Sequence, residues 1–511
     1  MAFESMLSEL EQRRAKALLM GGAEKLATRR AQGVLNARER VDYLLDAGSF
    51  FESGMLATSH RPEMVEKSPA DGKVAGFGAI DGRPVAVVSN DFTTLGATSS
   101  VVNGKKIRHV RSVASSSGMP LVLLGESAGA RMPDRMGAAG RAILGQDPME
   151  YMRDRRTPWV SALLGSCYGS STWYACLSDF VVMRKGATMA VASSKVTALA
   201  IKQVVDAEDL GGWKLHTAVT GLVDVAVDTD EQALDIVREF LAYLPSHNGE
   251  APPVASVPQG SDDRIKDILS VVPESRSAVY DARHVISCIV DLDSMFEMKA
   301  RFGKSIVTTL ARLDGRTIGI VANNPMFKGG SIDVDACAKA TSFFVLCDSF
   351  NIPIVFLVDQ PGFLIGMEGE RRGAPGRIMN WMNALSLVTV PRVAITLRKN
   401  FGQAYLNMGG GRNSDEAAAW PSADFGFMDP ATAVNVLHGL RREDDPARFD
   451  VLMKEIAGES APWRLAGLYE SQAVIDPRET RDYLKSILRV HSRRPTGAVG
   501  SHRLQHWPTS Y

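Results

Sequence analysis

Two glycine turns in this sequence have the residue types of an anion-stabilising site. Gly165-Ser-Cys-Tyr-Gly-Ser-Ser171 and Asn400-Phe-Gly-Gln-Ala404 each follow a strand-like run and precede a helical pattern. Such a turn presents backbone N–H groups at a helix start, which is the geometry of an oxyanion hole. A turn requiring positive φ accounts for one glycine in each without any chemistry. What favours the chemical reading is that both turns occupy the same place in two copies of one pattern. A third turn, Gly125-Glu-Ser-Ala-Gly129, fits G-x-S-x-G after a strand, as the nucleophile elbow of an α/β-hydrolase does. A hydrolase also needs an Asp and then a His downstream, and His216 and His284 are candidates by position alone. The matching segment of the second copy is Val358-Asp-Gln-Pro-Gly362, which lacks a serine. The shared feature is therefore the glycine turn and not a nucleophile.

The elements that carry these turns repeat along the chain. Asp81-Gly-Arg-Pro-Val-Ala-Val-Val-Ser-Asn90 reads like Asp314-Gly-Arg-Thr-Ile-Gly-Ile-Val-Ala-Asn323, at an offset of 233 residues. At the same offset Pro120 falls on Pro353, Gly129 on Gly362 and Gly169 on Gly402. Beyond Gly402 the second copy reads as carrying an insertion, Gly409 to Ala418, after which Asp179-Phe-Val-Val-Met lines up with Asp424-Phe-Gly-Phe-Met at an offset of 245.

Each copy alternates short β-branched runs with longer amphipathic ones, which is a βαβ rhythm. The first copy predicts strands near Val85–Ser89, Leu121–Leu124 and Val160–Leu164, with a helix near Val102–Ser116. The second predicts strands near Ile318–Ala322, Ile354–Val358 and Val393–Leu397, with helices near Val334–Ser349 and Gly376–Leu387. Both halves are α/β. The proline-rich stretch Pro245 to Asp263 suits an exposed linker and places the domains at 1–251 and 252–511. Two copies of one ligand-binding fold can each offer half of a pocket in which two substrates meet, within the chain or across a subunit interface. Duplication for stability alone is the other reading.

Composition narrows the function classes. The 511 residues hold 58 Lys plus Arg against 58 Asp plus Glu, so no global field draws nucleic acid or an anionic membrane. The stretch Lys105-Lys-Ile-Arg-His-Val-Arg111 suits either a phosphate at a helix start or a solvated helix face. Five scattered cysteines never form C-x-x-C, which predicts buried thiols, a reducing compartment and no zinc ribbon. No apolar run approaches a membrane span, and Glu4, Glu9 and Glu11 do not suit a leader peptide. The expected location is cytoplasmic.

Taken together these motifs resemble the carboxyltransferase (β) subunits of biotin-dependent acyl-CoA carboxylases, such as propionyl-CoA and methylcrotonyl-CoA carboxylases. The resemblance runs from Leu35–Phe50 through Ser127-Ala-Gly-Ala-Arg131, Leu210–His216, Ala311–Asn323 and Asp359-Gln-Pro-Gly-Phe-Leu364 to Ala419-Trp-Pro421. It implies two tandem crotonase-like domains and transfer of a carboxyl group between biotin and the α-carbon, or a vinylogous carbon, of an acyl-CoA through an enolate. The implied site residues are Gly169 and Ser170 for the acyl-CoA thioester and Gln403 and Ala404 for the biotin ureido oxygen. Ser127, Ala128, Gly129, Ala130 and Gly402 line the substrate side. Leu406 falls where the family shapes its acyl pocket, and its apolar side chain suggests a bulky acyl group. Also implied are a separate biotin carboxylase and biotin carboxyl carrier, a hexamer-like assembly with sites between subunits, and no metal in this subunit.

Some residues depart from the pattern. Propionyl-type members read Gly-Pro-Cys-Ala-Gly-Gly where this chain has Gly165 to Ser170, and Tyr-Gly-Gly-Ala-Tyr-Asp where it has Phe401 to Leu406. Both second glycines are replaced, which bears on the preferred substrate and on the direction of reaction. The Asn407–Ser414 segment also differs and is expected to close over the pocket. Glu297-Met-Lys-Ala300 is similar to the Met-Lys sequence biotinylated in carrier domains, but no small all-β module surrounds it, so Lys299 is read as an ordinary lysine. Two other readings stay open: a decarboxylase α-subunit running the transfer in reverse, and a non-catalytic paralogue that binds acyl-CoA.

Overall fold

A computed structural model describes residues 2–142, 151–493 and 497–508. The chain divides into two compact units, Met1–Gly249 and Glu250–Tyr511, with the division inside the proline-rich stretch. Each unit is built on an eight-stranded sheet.

In unit 1 the strands are β1 (Phe51–Glu52), β2 (Lys73–Ile80), β3 (Arg83–Asn90), β4 (Leu121–Ala128), β5 (Trp159–Tyr168), β6 (Phe180–Arg184), β7 (Thr188–Ala190) and β8 (Val225–Val227). Their order is β1-β2-β3-β4-β5-β6-β8, with β7 paired to the end of β5. In unit 2 they are β9 (Phe296–Met298), β10 (Ile306–Leu313), β11 (Arg316–Asn323), β12 (Ile354–Gln360), β13 (Arg392–Phe401), β14 (Glu416–Ala419), β15 (Asp424–Gly426) and β16 (Ala473–Val474). The order β16-β14-β13-β12-β11-β10-β9 repeats that of unit 1, and β15 pairs with β13 as β7 does with β5. A mostly parallel sheet flanked by helices, present twice, is the fold the duplication predicts.

Each copy starts with a hairpin, and the repeated Asp-Gly explains its geometry. Asp81 and Gly82 take φ of 50° and 74°, and Asp314 and Gly315 take 55° and 74°. Positive φ at both central residues is the type I′ turn that fits strand twist. The Asp46 carboxylate accepts from the N–H groups of Asp81 and Gly82 at 3.0 and 2.8 Å, and Asp291 does the same for Asp314 and Gly315 at 3.1 and 2.8 Å. The helices Val101–Ser116 and Val334–Ser349 then cross to β4 and β12. Each sends one lysine inward: Lys106 Nζ donates to the Lys73 carbonyl at 2.5 Å, and Lys339 Nζ to the Ile306 carbonyl at 2.7 Å. The basic stretch of the first helix is thus divided, with Lys106 in the interior and Lys105 and Arg108 on an exposed face.

Hydrogen bonding corrects the alignment of the second copy. The Trp159 N–H donates to the Asp179 carboxylate, and the matching Arg392 N–H donates to Asp415, not to Asp424. Val160 pairs with Phe180 on β6, and the equivalent Val393 pairs with Glu416 on β14. Asp424 instead opens β15, opposite Lys399, where unit 1 has Thr188 opposite Ser166. The offset therefore moves from 233 only to 236, so the insertion is three residues long and not the twelve that an offset of 245 requires. The Asp-Phe-x-x-Met identity is misleading because β14, Glu-Ala-Ala-Ala, shares a register with β6 and no side chains.

The segment Asn407–Ser414 packs against the residues that precede it, with Gly411 beside the Leu406 side chain. Asn407 and Met408 are fully buried, and a Cβ on Gly410 would stand 2.4 Å from the Tyr405 ring, so the segment folds back onto its own unit. Lys299 closes a tight turn after β9 with its carbonyl accepting from the Phe302 N–H, inside the α/β unit. Cys167, Cys288, Cys337 and Cys347 are buried, Cys176 is half-buried, and none of the five is in a disulfide. Among the described residues no helix is long and apolar enough to cross a membrane.

Candidate functional site

In unit 1, β4 and β5 run parallel with Ser127 beside Cys167 and Ala128 beside Tyr168, so the turns that follow them leave the sheet side by side. Ligands of open α/β sheets bind outside these carboxyl ends. Gly129 has φ of 103°, and Gly169 has φ of 68° and ψ of −124°, a combination that disfavours any side chain. A Cβ on Gly169 would lie 3.6 Å from Gly129 Cα, so the two turns are in contact. Helix Ser170–Leu177 starts at once. Among the described residues, neither the Gly169 nor the Ser170 N–H meets a protein acceptor. Ala128 and Ala130 are exposed beside them.

Unit 2 repeats the arrangement with a shift of one residue. Gly362 and Gly402 have φ of 127° and 67°. The Gly402 N–H, however, donates to the Gly426 carbonyl at 3.0 Å. The N–H groups without a partner among the described residues are those of Gln403 and Ala404, at the start of the short helix Ala404–Asn407. The Gln403 side chain is exposed and Ala404 is buried. Leu406 is half-buried, and a Cβ on Gly411 would come 3.1 Å from its Cδ2.

Ser127 is not placed as a nucleophile. It is fully buried, its Oγ donates to the Ala97 carbonyl at 3.1 Å, and it accepts the Gly129 N–H at 3.1 Å. His216 is spent elsewhere: its Nε2 lies 2.7 Å from the Met189 carbonyl and its Nδ1 3.0 Å from Thr220 Oγ1. Burial lowers the pKa of that imidazole. The residue equivalent to Ser127 is Gln360, whose Nε2 donates to the Phe401 carbonyl at 3.0 Å. Both side chains tie down a strand-end turn from within.

The acidic residues next to them were missed by motif reading. Glu126 accepts from Arg29 at 2.7 and 2.6 Å and from Arg40 at 2.9 Å, fixing β4 to the two helices Ala23–Ala31 and Ala37–Leu44. The equivalent Asp359 accepts from Arg398 Nε at 2.8 Å, both side chains being buried. The signal was available as two acidic positions at offset 233, but pairing partners are invisible in a sequence.

A second buried network supports the Ala97–Ser99 side of the unit 1 turn. The Asp71 carboxylate accepts from Arg131 Nη1 at 2.5 Å and from the Asn103 N–H at 3.0 Å. Lys73 Nζ donates to the Ala97 carbonyl at 2.9 Å, and burial pushes its amine down to about 7, against the pull of Asp71. The Ala97 carbonyl thus takes both Lys73 and Ser127.

Comparisons with known proteins show the family. The carboxyl transferase domain family matches residues 28–503. The chain is 37% identical over 504 residues to the propionyl-CoA carboxylase carboxyltransferase subunit of Haloferax mediterranei, covering 96% of each. It is 31% identical over 503 residues to the methylmalonyl-CoA decarboxylase subunit alpha of Veillonella parvula, covering 96% of this chain and 97% of that one. The crystal structure of the hexameric transcarboxylase 12S, with methylmalonyl-coenzyme A bound, superposes with a TM-score of 0.89 at 31% identity over 96% of each chain. Duplicated α/β units ending in paired glycine turns, matched along nearly the whole chain, mean that this protein belongs to the carboxyl transferase domain family as a biotin-dependent acyl-CoA carboxyltransferase subunit.

Proposed function

We propose that this subunit moves a carboxyl group between carboxybiotin and the α-carbon, or a vinylogous carbon, of an acyl-CoA, with unit 1 holding the thioester and unit 2 holding biotin. The observation that supports the reading is the set of N–H groups without a partner among the described residues at the helix start after β5, Gly169 and Ser170 first among them, and those of Gln403 and Ala404 after β13. Carboxybiotin supplies the carboxyl group and, once that is released, the base that takes the α-proton. The Gly169 and Ser170 N–H groups receive the thioester oxygen as it gains enolate charge, each donor being worth about 3–4 kcal/mol in such a hole. Gln403 and Ala404 offer their N–H groups to the ureido oxygen, and Gly402 sets their direction by its bond to Gly426. Ser127 and Gln360 hold the turns at the ends of β4 and β12, and Ala128, Gly129 and Ala130 line the acyl-CoA side. Leu406, half-buried on unit 2, borders the acyl group and favours a bulky one.

The transfer runs in either direction through the same donors. The decarboxylase direction is favoured by one observation, the match to the Veillonella parvula subunit over nearly its full length. The partners in this reading are a biotin carboxylase and a biotinylated carrier. A hexamer of this chain is supported by apolar surfaces at equivalent places in both units: Val191, Val196 and Leu199 in one, Phe427, Val436 and Leu437 in the other, with Val191 74% and Phe427 81% exposed. Five cysteines outside any disulfide support a cytoplasmic location.

The test is to incubate the protein with malonyl-CoA, methylmalonyl-CoA and bulkier carboxylated acyl-CoAs, with and without free biotin, and to follow the carboxyl group by mass spectrometry. Biotin-dependent loss is expected for one ester. Loss without biotin, or thioester hydrolysis, would overturn the mechanism, and silence across the panel would favour a binding-only paralogue.

A further inference from the structure

The hydroxyls of Ser99 and Ser170 lie 2.6 Å apart. At that separation one hydroxyl donates to the other, and the acceptor keeps its own proton for a third group. Ser99 is held rigidly. Its N–H donates to the Gly129 carbonyl at 2.8 Å and its carbonyl accepts from the Arg131 N–H at 2.9 Å, so it bridges the turn after β4 to the helix start after β5. Both serines are half-buried, and neither hydroxyl has another partner among the described residues. The equivalent positions in unit 2 are Ile332 and Gln403, which hold no hydroxyl pair. The feature is therefore confined to unit 1, where Ser170 contributes one of the N–H groups without a partner, among the described residues, at the helix start after β5.

We propose that the Ser170 hydroxyl is a third donor of the unit 1 hole and that Ser99 is the positioning residue that aims it. The Ser99 hydroxyl donates to Ser170 Oγ, and the Ser170 hydroxyl donates to the oxygen that the Gly169 and Ser170 N–H groups receive. An oxyanion has lone pairs enough for three donors. Negative charge growing on it selects this direction of the two-hydroxyl chain, because each hydrogen bond polarises the next. The ligand class is a thioester carbonyl on its way to an enolate, so the inference rests on the assignment of acyl-CoA to unit 1. Here the serine does not merely tolerate the loss of a glycine. It adds a donor that a glycine lacks, and the cost of its Cβ is met because Ser170 itself lies at the first helical position, where only the preceding Gly169 takes positive φ.

The experiment is isotope-edited infrared spectroscopy of an acyl-CoA carrying 13C at the thioester carbon, bound to the full-length protein, alongside kcat and KM for biotin-dependent transfer. Wild type is expected to lower the carbonyl frequency. Ser170→Ala and Ser99→Ala should each return it part of the way, and the double variant should go no further than Ser170→Ala alone. Both should lower kcat by about 10- to 100-fold, with KM within about 2-fold. Ser170→Gly, which restores the residue that propionyl-type members carry at this position, guards against misfolding and should behave like Ser170→Ala. A carbonyl band unmoved by Ser99→Ala and Ser170→Gly in a protein that binds and transfers would overturn this inference alone. Failure of wild type to bind the acyl-CoA would overturn it together with the carboxyltransferase reading.

Discussion

Glu126 occupies the space that Gly165 leaves open: a Cβ on Gly165 would stand 2.3 Å from Glu126 Oε1. In unit 2 the position equivalent to Gly165 is Arg398, and it is this arginine that pairs with Asp359. The two units thus anchor the same acidic position from different sides. In unit 1 the charge is met by Arg29 and Arg40 from the entry helices, and in unit 2 by a neighbour on the next strand, whose guanidinium also donates to the carbonyls of Ser275 and Ala278.

Gly165→Ala should therefore act as an electrostatic lesion. Glu126 must shift, which separates it from Arg29 and Arg40 inside the protein. Breaking a buried pair by removing one partner costs about 3–5 kcal/mol. Urea denaturation of the variant should show a loss of that order, and a loss below about 1 kcal/mol would mean that the carboxylate relocates without cost.

Ser127→Ala separates two chemistries. The buried hydroxyl joins Ala97 to Gly129, so its removal should cost about 1–3 kcal/mol of stability and leave biotin-dependent transfer within about 10-fold of wild type. Complete loss of transfer, or loss of any thioester cleavage, would mark Ser127 as a nucleophile instead.

Gly169→Ala meets ordinary contact distances, since the new Cβ would lie 3.6 Å from Gly129 Cα. The cost lies in the backbone, where φ of 68° with ψ of −124° is a glycine conformation worth about 1–3 kcal/mol to impose on alanine. Relaxation of that strain turns the N–H away from the thioester oxygen. Transfer should fall by at least about 100-fold in kcat. Protein recovered with native stability and native kcat would show that this turn is not the hole.

The Lys73 amine titrates near 7 in the folded chain against an ordinary value of 10.5. Between those values the unfolded chain holds the extra proton, so stability rises with pH across the window and the penalty of the buried charge is full only below 7. Denaturation midpoints taken from pH 7 to 10.5 should climb in wild type and climb less in Lys73→Met. Equal slopes in the two proteins would show that Lys73 does not carry the effect.

Much of this was legible in one sequence because duplication supplies an internal control. A glycine turn that recurs after 233 residues, at Gly129 and Gly362 and at Gly169 and Gly402, marks a backbone constraint common to two otherwise diverged copies. The strand and helix pattern, the α/β class and the family follow from such local signals, since β-branched runs, Asp-Gly hairpins and glycine turns act through their own φ and ψ. What only the tertiary structure decided depends on partners distant in the chain. The register of β14 on β13 reduced a shift of twelve residues to three, because hydrogen bonds and not side-chain identity decide strand pairing. The burial of Asn407 and Met408 showed only in the fold, because burial is a packing event. The Gly402 N–H was found engaged, the Ser127 hydroxyl internal, and Glu126 and Ser99 linked to Arg29 and Ser170 across 97 and 71 residues, separations at which no local pattern records a contact.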